Sequence, residues 1–191
     1  MNTILTTVEN SSDCVLYAMD ETLLRAESDN RRTWSPVGIS PILEHNGSHK
    51  GINIIGATEI TKNFDTIIDA YEAKHSITFV EIQAFMENLL ERNTGKKVFL
   101  ILDNAKSHNC KKIQEFANAH KENLFLINTP TYSPELNPQE NIWNRLKTCI
   151  FSTSARASIN DLFDDVSSIY DIFNENKDFI KSIVYAKNYY D

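Results

Sequence analysis

Three acidic residues in this sequence have the types and positions to carry out chemistry together. Two apolar runs of strand length, residues 14–19 and 98–102, are each followed directly by an aspartate, Asp20 and Asp103. Neighbouring strands can end at one edge of a sheet, where open α/β sheets bind ligands, so both carboxylates could meet there. A third acid, Glu140, lies one turn inside a predicted helix, and its side chain could lean back toward the same edge.

Carboxylates gathered at one edge repel one another, so this arrangement predicts a bound cation. Hard oxygen ligands favour Mg²⁺ or Mn²⁺. Two such ions would clamp the attacking and the leaving oxygen of a phosphodiester in an in-line displacement. The residue types are therefore those of a two-metal phosphodiester site.

Each of the three acids also has a purely structural interpretation. Asp20 could simply end a strand, and Asp103 with Asn104 could form a turn. The segment Asn137-Pro-Gln-Glu140 has the spacing of a helix capping box, in which Glu140 would only satisfy a backbone donor. The pattern of acids leaves both interpretations open.

The first half of the chain is predicted to contain strands followed by one helix. Residues 14–19 and 51–58 have the composition of strands in an antiparallel meander. Residues 76–93 combine a short strand with an amphipathic helix that stops near Gly95.

The second half alternates strands and helices. A strand at 98–102, a helix at 107–121 and a strand at 124–128 have the length of a parallel crossover unit. A further helix is predicted from Pro138, with Asn137 as its cap, and residues 158–185 are mostly helical. Together the elements predict an α/β domain with a mixed sheet.

Composition and charge narrow the class of protein. The 191 residues are 41% hydrophobic and 24% charged, which fits a globular domain, and three cysteines without a CxxC pair argue against a disulfide framework or a structural zinc site. A net charge of −7 is the wrong sign for holding nucleic acid by bulk electrostatics, so any such contact must be local or metal-assisted. We find neither a membrane span nor a signal peptide, and expect a cytoplasmic protein without a membrane partner.

Two longer motifs resemble a known family. They are Leu100-Ile-Leu-Asp-Asn-Ala-Lys-Ser-His108 and Pro130-Thr-Tyr-Ser-Pro-Glu-Leu-Asn-Pro-Gln-Glu-Asn-Ile-Trp-Asn-Arg-Leu-Lys147. Both resemble the catalytic core of the DDE transposases of the mariner superfamily and its bacterial insertion-sequence relatives. Residues 19–21 and 31–38 resemble that family's opening segment, so the resemblance covers about residues 15–151.

The resemblance implies a fold, a site and a reaction. The fold would be an RNase H-like mixed sheet flanked by helices, and Asp20, Asp103 and Glu140 would be the catalytic acids that bind two Mg²⁺ or Mn²⁺ ions. The 36 residues between Asp103 and Glu140 are close to the family's usual interval. The reaction would be cleavage of DNA at the ends of a mobile element, followed by strand transfer into target DNA.

Two further residues are candidates for a supporting role. His108 follows Asp103 by five positions, as a histidine does in the family, and could donate hydrogen bonds near phosphate chemistry or simply begin a helix. Asn104 could orient Asp103 or the substrate, or only shape the turn. Trp143 is interpreted as a packing residue.

The sequence departs from the family at its beginning. Only about thirteen residues precede the first predicted strand, too few for a helix-turn-helix region. We therefore expect residues 1–191 to form one catalytic domain with a helical C-terminal extension. Such a domain would act with a separate DNA-binding polypeptide or as a homodimer. Two alternatives stay open: a general RNase H-like nuclease, and a catalytically silent remnant with a regulatory or assembly role.

Overall fold

The computed structural model of the chain describes residues 2–26, 34–40, 42, 50–131, 133–151 and 156–190. Residues 31–33, part of the segment that resembles the family's opening, lie outside the described residues. In chain order the elements are α1 (Asn2–Asn10), β1 (Cys14–Arg25), β2 (Gly51–Glu59), β3 (Thr66–Glu72), α2 (Phe79–Arg92), β4 (Lys97–Leu102), α3 (Lys111–Ala119), β5 (Leu124–Asn128), a short 3-10 helix (Pro134–Leu136), α4 (Gln139–Cys149), α5 (Ile159–Glu175), α6 (Lys177–Val184) and α7 (Lys187–Tyr190).

The five strands form one mixed sheet in the order β3-β2-β1-β4-β5. Strands β1, β2 and β3 pair antiparallel, which confirms the predicted meander. Strand β4 pairs parallel with both β1 and β5, and α3 connects β4 to β5, which confirms the predicted crossover unit. The fold is therefore a mixed α/β sheet flanked by helices, as predicted.

Two hydrophobic cores lie on opposite faces of the sheet. One contains Leu16 and Ala18 of β1 with buried residues of α1, α4, α5 and α6. The other contains Tyr17 and Met19 of β1 with buried residues of α2 and α3. Because successive residues of a strand point to opposite faces, Asp20 and Glu21 continue this alternation beyond the cores.

Strand β1 is longer than predicted. It pairs with β4 only as far as Ala18, opposite Ile101, but it pairs with β2 as far as Arg25. The prediction that the strand ends at residue 19 is therefore wrong, because antiparallel pairing with β2 continues after β4 has ended. Asp20 lies inside β1, just past the last parallel pair.

The other differences between the predicted and the observed elements lie at the sheet edge and in loops. Strand β3 was not predicted, and the short strand expected near residue 76 is absent there, because Thr78 and Glu81 form a capping box that begins α2. The helix expected from residue 107 begins only at Lys111, since side chains hold the preceding residues in a loop. The predicted helical C-terminal region is confirmed as α5 to α7.

The helix that carries Glu140 begins at Gln139, close to the predicted start. The Asn137 Oδ1 atom accepts the N–H of Gln139 at 3.2 Å, and its Nδ2 donates to the backbone oxygen of Met19 at 2.9 Å. Asn137 therefore connects the start of α4 to β1 next to Asp20. No helix within the described residues is both long and apolar enough to span a membrane.

Candidate active site

Asp20 is held by its strand and by a tryptophan. The Trp143 Nε1 atom donates to Asp20 Oδ2 at 3.0 Å. The indole ring lies against Gly56, which pairs with Asp20 across β1 and β2, and a Cβ atom at Gly56 would lie 2.4 Å from Trp143 Cη2. The interpretation of Trp143 as a packing residue is incomplete, because this side chain also orients the Asp20 carboxylate.

The environment of Asp20 disfavours its charge. Burial, then the negative charges of Glu140 and Glu21, raise the pKa of Asp20 to about 7, although hydrogen bonds from the Glu21 backbone and Trp143 lower it in part. Glu140 is the second residue of α4 and faces the same cavity. Asp20 and Glu140 thus form a pair of neighbouring acids that a cation would stabilise.

The capping interpretation of Glu140 finds no counterpart among the described hydrogen bonds. The Asn137 N–H donates to the backbone oxygen of Pro134 at 2.9 Å, and the Glu140 N–H donates to the backbone oxygen of Asn137 at 3.1 Å. The donor that a capping-box glutamate would satisfy is already paired with a backbone oxygen.

Asp103 is held by a loop and a histidine. Its Oδ1 atom accepts the N–H of Ala105 at 2.9 Å and lies 2.7 Å from His108 Nδ1. Within the described residues no hydrogen bond involves the second carboxylate oxygen, and the side chain is 51% exposed. One oxygen of Asp103 is therefore anchored while the other is available toward the cavity.

His108 joins Asp103 to a fourth acid. Its Nε2 atom lies 2.7 Å from Glu21 Oε1, and the imidazole is completely buried. Burial, the largest single effect, lowers the pKa of His108, but the hydrogen bond and charge of Glu21, followed by the charge and hydrogen bond of Asp103, outweigh it and raise the pKa to about 9. The predicted proximity of His108 to the acids is observed, as a bridge between two carboxylates.

Glu21 was missed by the sequence analysis. The sequence feature that could have indicated Glu21 is the alternation of side chains along β1, which places the residue after Asp20 on the opposite face of the sheet. That face is the one on which the loop carrying His108 lies.

Asn104 stabilises the loop. Its Nδ2 atom donates to the backbone oxygen of Thr129, and its Oδ1 accepts Asn128 Nδ2 at 3.0 Å. Asn128 Nδ2 also lies 3.0 Å from Asn109 Oδ1. These amides connect the loop after β4 to the end of β5, which agrees with the turn interpretation of Asn104.

The three predicted acids line one cavity of about 330 Å³, together with Asn104 and the proline-rich turn between β5 and α4. The remaining lining residues are Ala105, Thr129, Pro130, Thr131, Ser133, Pro134 and Asn137. His108 and Glu21 lie behind Asp103 and do not line the cavity. The structure thus brings Asp20, Asp103 and Glu140 to a shared space and leaves the two other groups in a supporting position.

The donor set of this cavity fits a hard divalent cation, since its charged groups are all carboxylates. The raised pKa of Asp20 supports the fit, because burial beside Glu140 leaves its negative charge uncompensated. Among the described residues, however, no three His, Cys, Asp or Glu side chains are close enough to hold one ion. The acids therefore share a cavity without forming a closed single-ion site.

Comparison with known protein families identifies the family of this chain. The family described as DDE superfamily endonuclease matches residues 15–162, which include all three acids and the histidine. The chain belongs to this family. No curated protein matches the sequence.

Solved structures agree with this family in fold. The chain is similar to "Crystal structure of the Mos1 mariner paired end complex with Mn" with a TM-score of 0.70 and 14% identity over 96% of this chain and 55% of that one. It is similar to "Mos1 transposase paired-end complex with left transposon end" with a TM-score of 0.65 and 14% identity over 95% and 59%. The catalytic domain in "Structure of Mos1 transposase catalytic domain and Raltegravir with Mg" is matched with a TM-score of 0.54 and 12% identity over 98% and 90%.

These matches confirm the predicted RNase H-like fold, which this DDE endonuclease chain shares with the Mos1 transposase catalytic domain. The chain spans 54% to 59% of the first Mos1 transposase chains that it matches, and 90% of the isolated catalytic domain. The similarity is thus concentrated in the catalytic part of those proteins.

Proposed function

We propose that this chain is the catalytic domain of a transposase, which cleaves DNA at the ends of a mobile element and joins the cut strand to target DNA. The observation that carries the proposal is the cavity in which Asp20, Asp103 and Glu140 meet, in a chain of the DDE endonuclease family. Similar structures include a Mos1 paired-end complex and "Crystal structure of the Mos1 Strand Transfer Complex". They support DNA as the partner.

Asp20, Asp103 and Glu140 are the residues we propose to hold two Mg²⁺ or Mn²⁺ ions, the metals named in Mos1 structures. Bound divalent ions supply an activated nucleophile and stabilise charge on the leaving oxygen. Among the chain's own residues, Trp143 orients Asp20, and a cation bound beside Asp20 and Glu140 would favour the ionised form of Asp20. The proline-rich turn closes one side of the cavity.

The contact with DNA is proposed to be local. Lys111 and Lys112 of α3 lie 3.6 and 3.5 Å from Glu115, which supports a solvated helix face at that position. Together with the net charge of −7, this predicts weak binding to duplex DNA with little sequence preference. We therefore propose that residues 1–191 act as one catalytic domain with a separate DNA-binding polypeptide or as a homodimer. We also propose a cytoplasmic location.

The decisive experiment measures cutting and joining separately. The purified chain is incubated in Mg²⁺ or Mn²⁺ with supercoiled plasmid and a labelled duplex oligonucleotide that carries a free 3′ hydroxyl. We expect nicked plasmid and oligonucleotide joined to plasmid, with both products absent for Asp103→Asn and retained for Glu91→Gln on the exposed face of α2.

The other outcomes contradict the proposal in distinct ways. Nicking without joining would identify a general RNase H-like nuclease. A folded protein that neither cuts nor joins, and that binds Mn²⁺ no more tightly than Asp103→Asn does, would identify a silent regulatory or assembly protein. Tight, sequence-specific binding by the chain alone at physiological salt would contradict the requirement for a DNA-binding partner.

A further inference from the structure

The side chain of His108 contacts both Glu21 and Asp103, just beyond the point where the backbone pairing of β1 with β4 ends. Strands β1 and β4 pair in parallel up to Ala18 and Ile101. Beyond that point β1 continues along β2, while β4 passes into the loop that contains Asp103. The His108 side chain connects this loop back to β1, with 2.7 Å contacts at both ring nitrogens.

Glu21 lies on the opposite side of β1 from Asp20. Asp20 accepts its hydrogen bond from Trp143 of α4, whereas Glu21 contacts the loop before α3. Glu21 is absent from the cavity lining, and its side chain is only 23% exposed. Its carboxylate therefore faces His108, away from the space in which the reaction would occur.

We propose that Glu21 is a positioning residue, which acts through His108 to hold the Asp103 carboxylate in the orientation needed for metal binding. This inference rests on the proposed function, because it assigns a purpose to Glu21 only if Asp103 binds the metal. Partners behind a ligand orient it and are commonly needed for full metal affinity. Here the partner is two side chains removed from the cavity.

The buried imidazole explains why Glu21 would matter. His108 has no exposed surface, so loss of Glu21 leaves Nε2 without its 2.7 Å partner in a place that water cannot easily reach. The ring then keeps only the contact from Nδ1 to Asp103 Oδ1, so it no longer fixes the position of that oxygen relative to β1. Asp103 would keep the N–H of Ala105 as a contact and lose the anchor to β1.

The test measures Mn²⁺ affinity directly, by electron paramagnetic resonance of free Mn²⁺ during titration of the full chain. We expect Glu21→Ala to weaken Mn²⁺ binding by about 10- to 100-fold, the range found for partners behind metal ligands. Glu21→Gln should stay close to the wild type, because its amide oxygen still accepts from His108 Nε2. Glu91→Ala makes the same chemical change on an exposed face of α2 and should have no effect.

A double variant tests whether Glu21 acts through His108. If it does, Glu21→Ala combined with His108→Ala binds Mn²⁺ no more weakly than His108→Ala alone. Additive losses would overturn the inference. Equal losses in Glu21→Gln and Glu21→Ala would also overturn it, because they would show that the charge of Glu21 acts on the metal directly.

Controls separate this inference from the proposed function and from folding. If Asp103→Asn binds Mn²⁺ like the wild type, the proposed metal site fails; if Asp103→Asn is weakened and Glu21→Ala is not, only the role of Glu21 fails. Thermal unfolding shows whether each variant is folded. Should Glu21→Ala not fold, Glu21→Gln and His108→Gln decide: the inference requires near-wild-type affinity in the first and weakened affinity in the second.

Discussion

Asp20 and Asp103 face the same cavity but are held in opposite ways. Asp20 is part of a central strand, largely buried, and is repelled by the negative charge of neighbouring Glu140. Asp103 is on a loop, half exposed, and contacts a buried histidine. The position of Asp20 comes from the sheet and its charge is disfavoured, whereas the charge of Asp103 is compensated and its position depends on side chains.

A bound metal would therefore have a different effect on Asp20, on the β1 side of the cavity, than on Asp103, on the loop side. On the β1 side it would relieve repulsion that the folded chain carries without it. On the loop side it would contact a carboxylate whose other oxygen is already engaged. Variants on the two sides should therefore differ in the sign of their effect on stability, even where their effects on activity agree.

The largest effect is expected from removing the charge that faces Asp20. Glu140→Gln should lower metal-dependent plasmid nicking by more than about 100-fold, because losing a metal-binding carboxylate should cost more than losing a partner behind it. Its thermal stability should not fall, because no described hydrogen bond involves the Glu140 side chain and the change removes a negative charge that repels Asp20.

Glu135→Gln, in the exposed 3-10 helix, is the matched control for Glu140→Gln and should remain active. A Glu140→Gln protein that nicks at the wild-type rate, while Asp103→Asn is inactive, would reduce Glu140 to a structural role. Glu135 would then become the replacement candidate.

The second-largest effect is expected from crowding Trp143, the residue that donates a hydrogen bond to Asp20. Gly56→Ala places a methyl group against the Trp143 ring and should reduce the free energy of unfolding by about 1–3 kcal/mol, the usual cost of overpacking. Urea denaturation measures this change. In a Trp143→Phe background the same substitution should cost clearly less, because the clashing Cη2 atom is gone. An equal cost in both backgrounds would show that the clash is not with Trp143.

The third effect is a gain of stability on the β1 side. The Asp20 carboxyl ionises near 3.8 in the unfolded chain but near 7 in the folded chain, so the folded state binds more protons between these values. Stability therefore falls as the pH rises through this window. Without metal at pH 8, Asp20→Asn should raise the free energy of unfolding by about 1–2 kcal/mol.

Denaturation at pH 4 and pH 8, with and without Mg²⁺, measures this gain for Asp20→Asn. The advantage should be small at pH 4 and should shrink when Mg²⁺ stabilises the wild type. Asp13→Asn, on the exposed turn before β1, is the control. A variant less stable than the wild type at pH 8 would contradict a disfavoured charge at Asp20.

The smallest effect is a loss of stability on the loop side. Asp103→Asn keeps an acceptor for His108 but removes its charge, and should cost about 1 kcal/mol. The pKa of His108 is raised to about 9 from 6.5, so its stabilisation is complete below pH 6.5 and is lost as the pH rises through 9. The cost of Asp103→Asn, measured by denaturation, should therefore be larger at pH 6 than at pH 10. A cost that grows with pH would contradict this assignment.

Most of the strands and helices, and the three acids, could be predicted from the sequence because they depend on local patterns. The buried run at residues 98–102 and the crossover after it depend on continuous apolar stretches, which are visible without knowing the partners. Strand β3 was missed because an edge strand is only half buried and has a weak apolar pattern.

The parts of the site that were missed depend on contacts between distant residues. Glu21 and His108 are 87 positions apart, and Trp143 and Asp20 are 123 apart. The length of β1 had the same cause, since only its pairing with β2 carries it past Asp20. Such contacts follow from the register of the sheet, which a single sequence does not specify.

The close approach of Trp143 to Gly56 matters for how related chains of this family are judged functional. A related chain can keep the three acids and still have a residue larger than glycine opposite the first of them. That residue would press on the tryptophan and disturb the donor that orients the aspartate. Counting acids alone would therefore overestimate the number of competent chains, and the glycine of β2 offers a second marker.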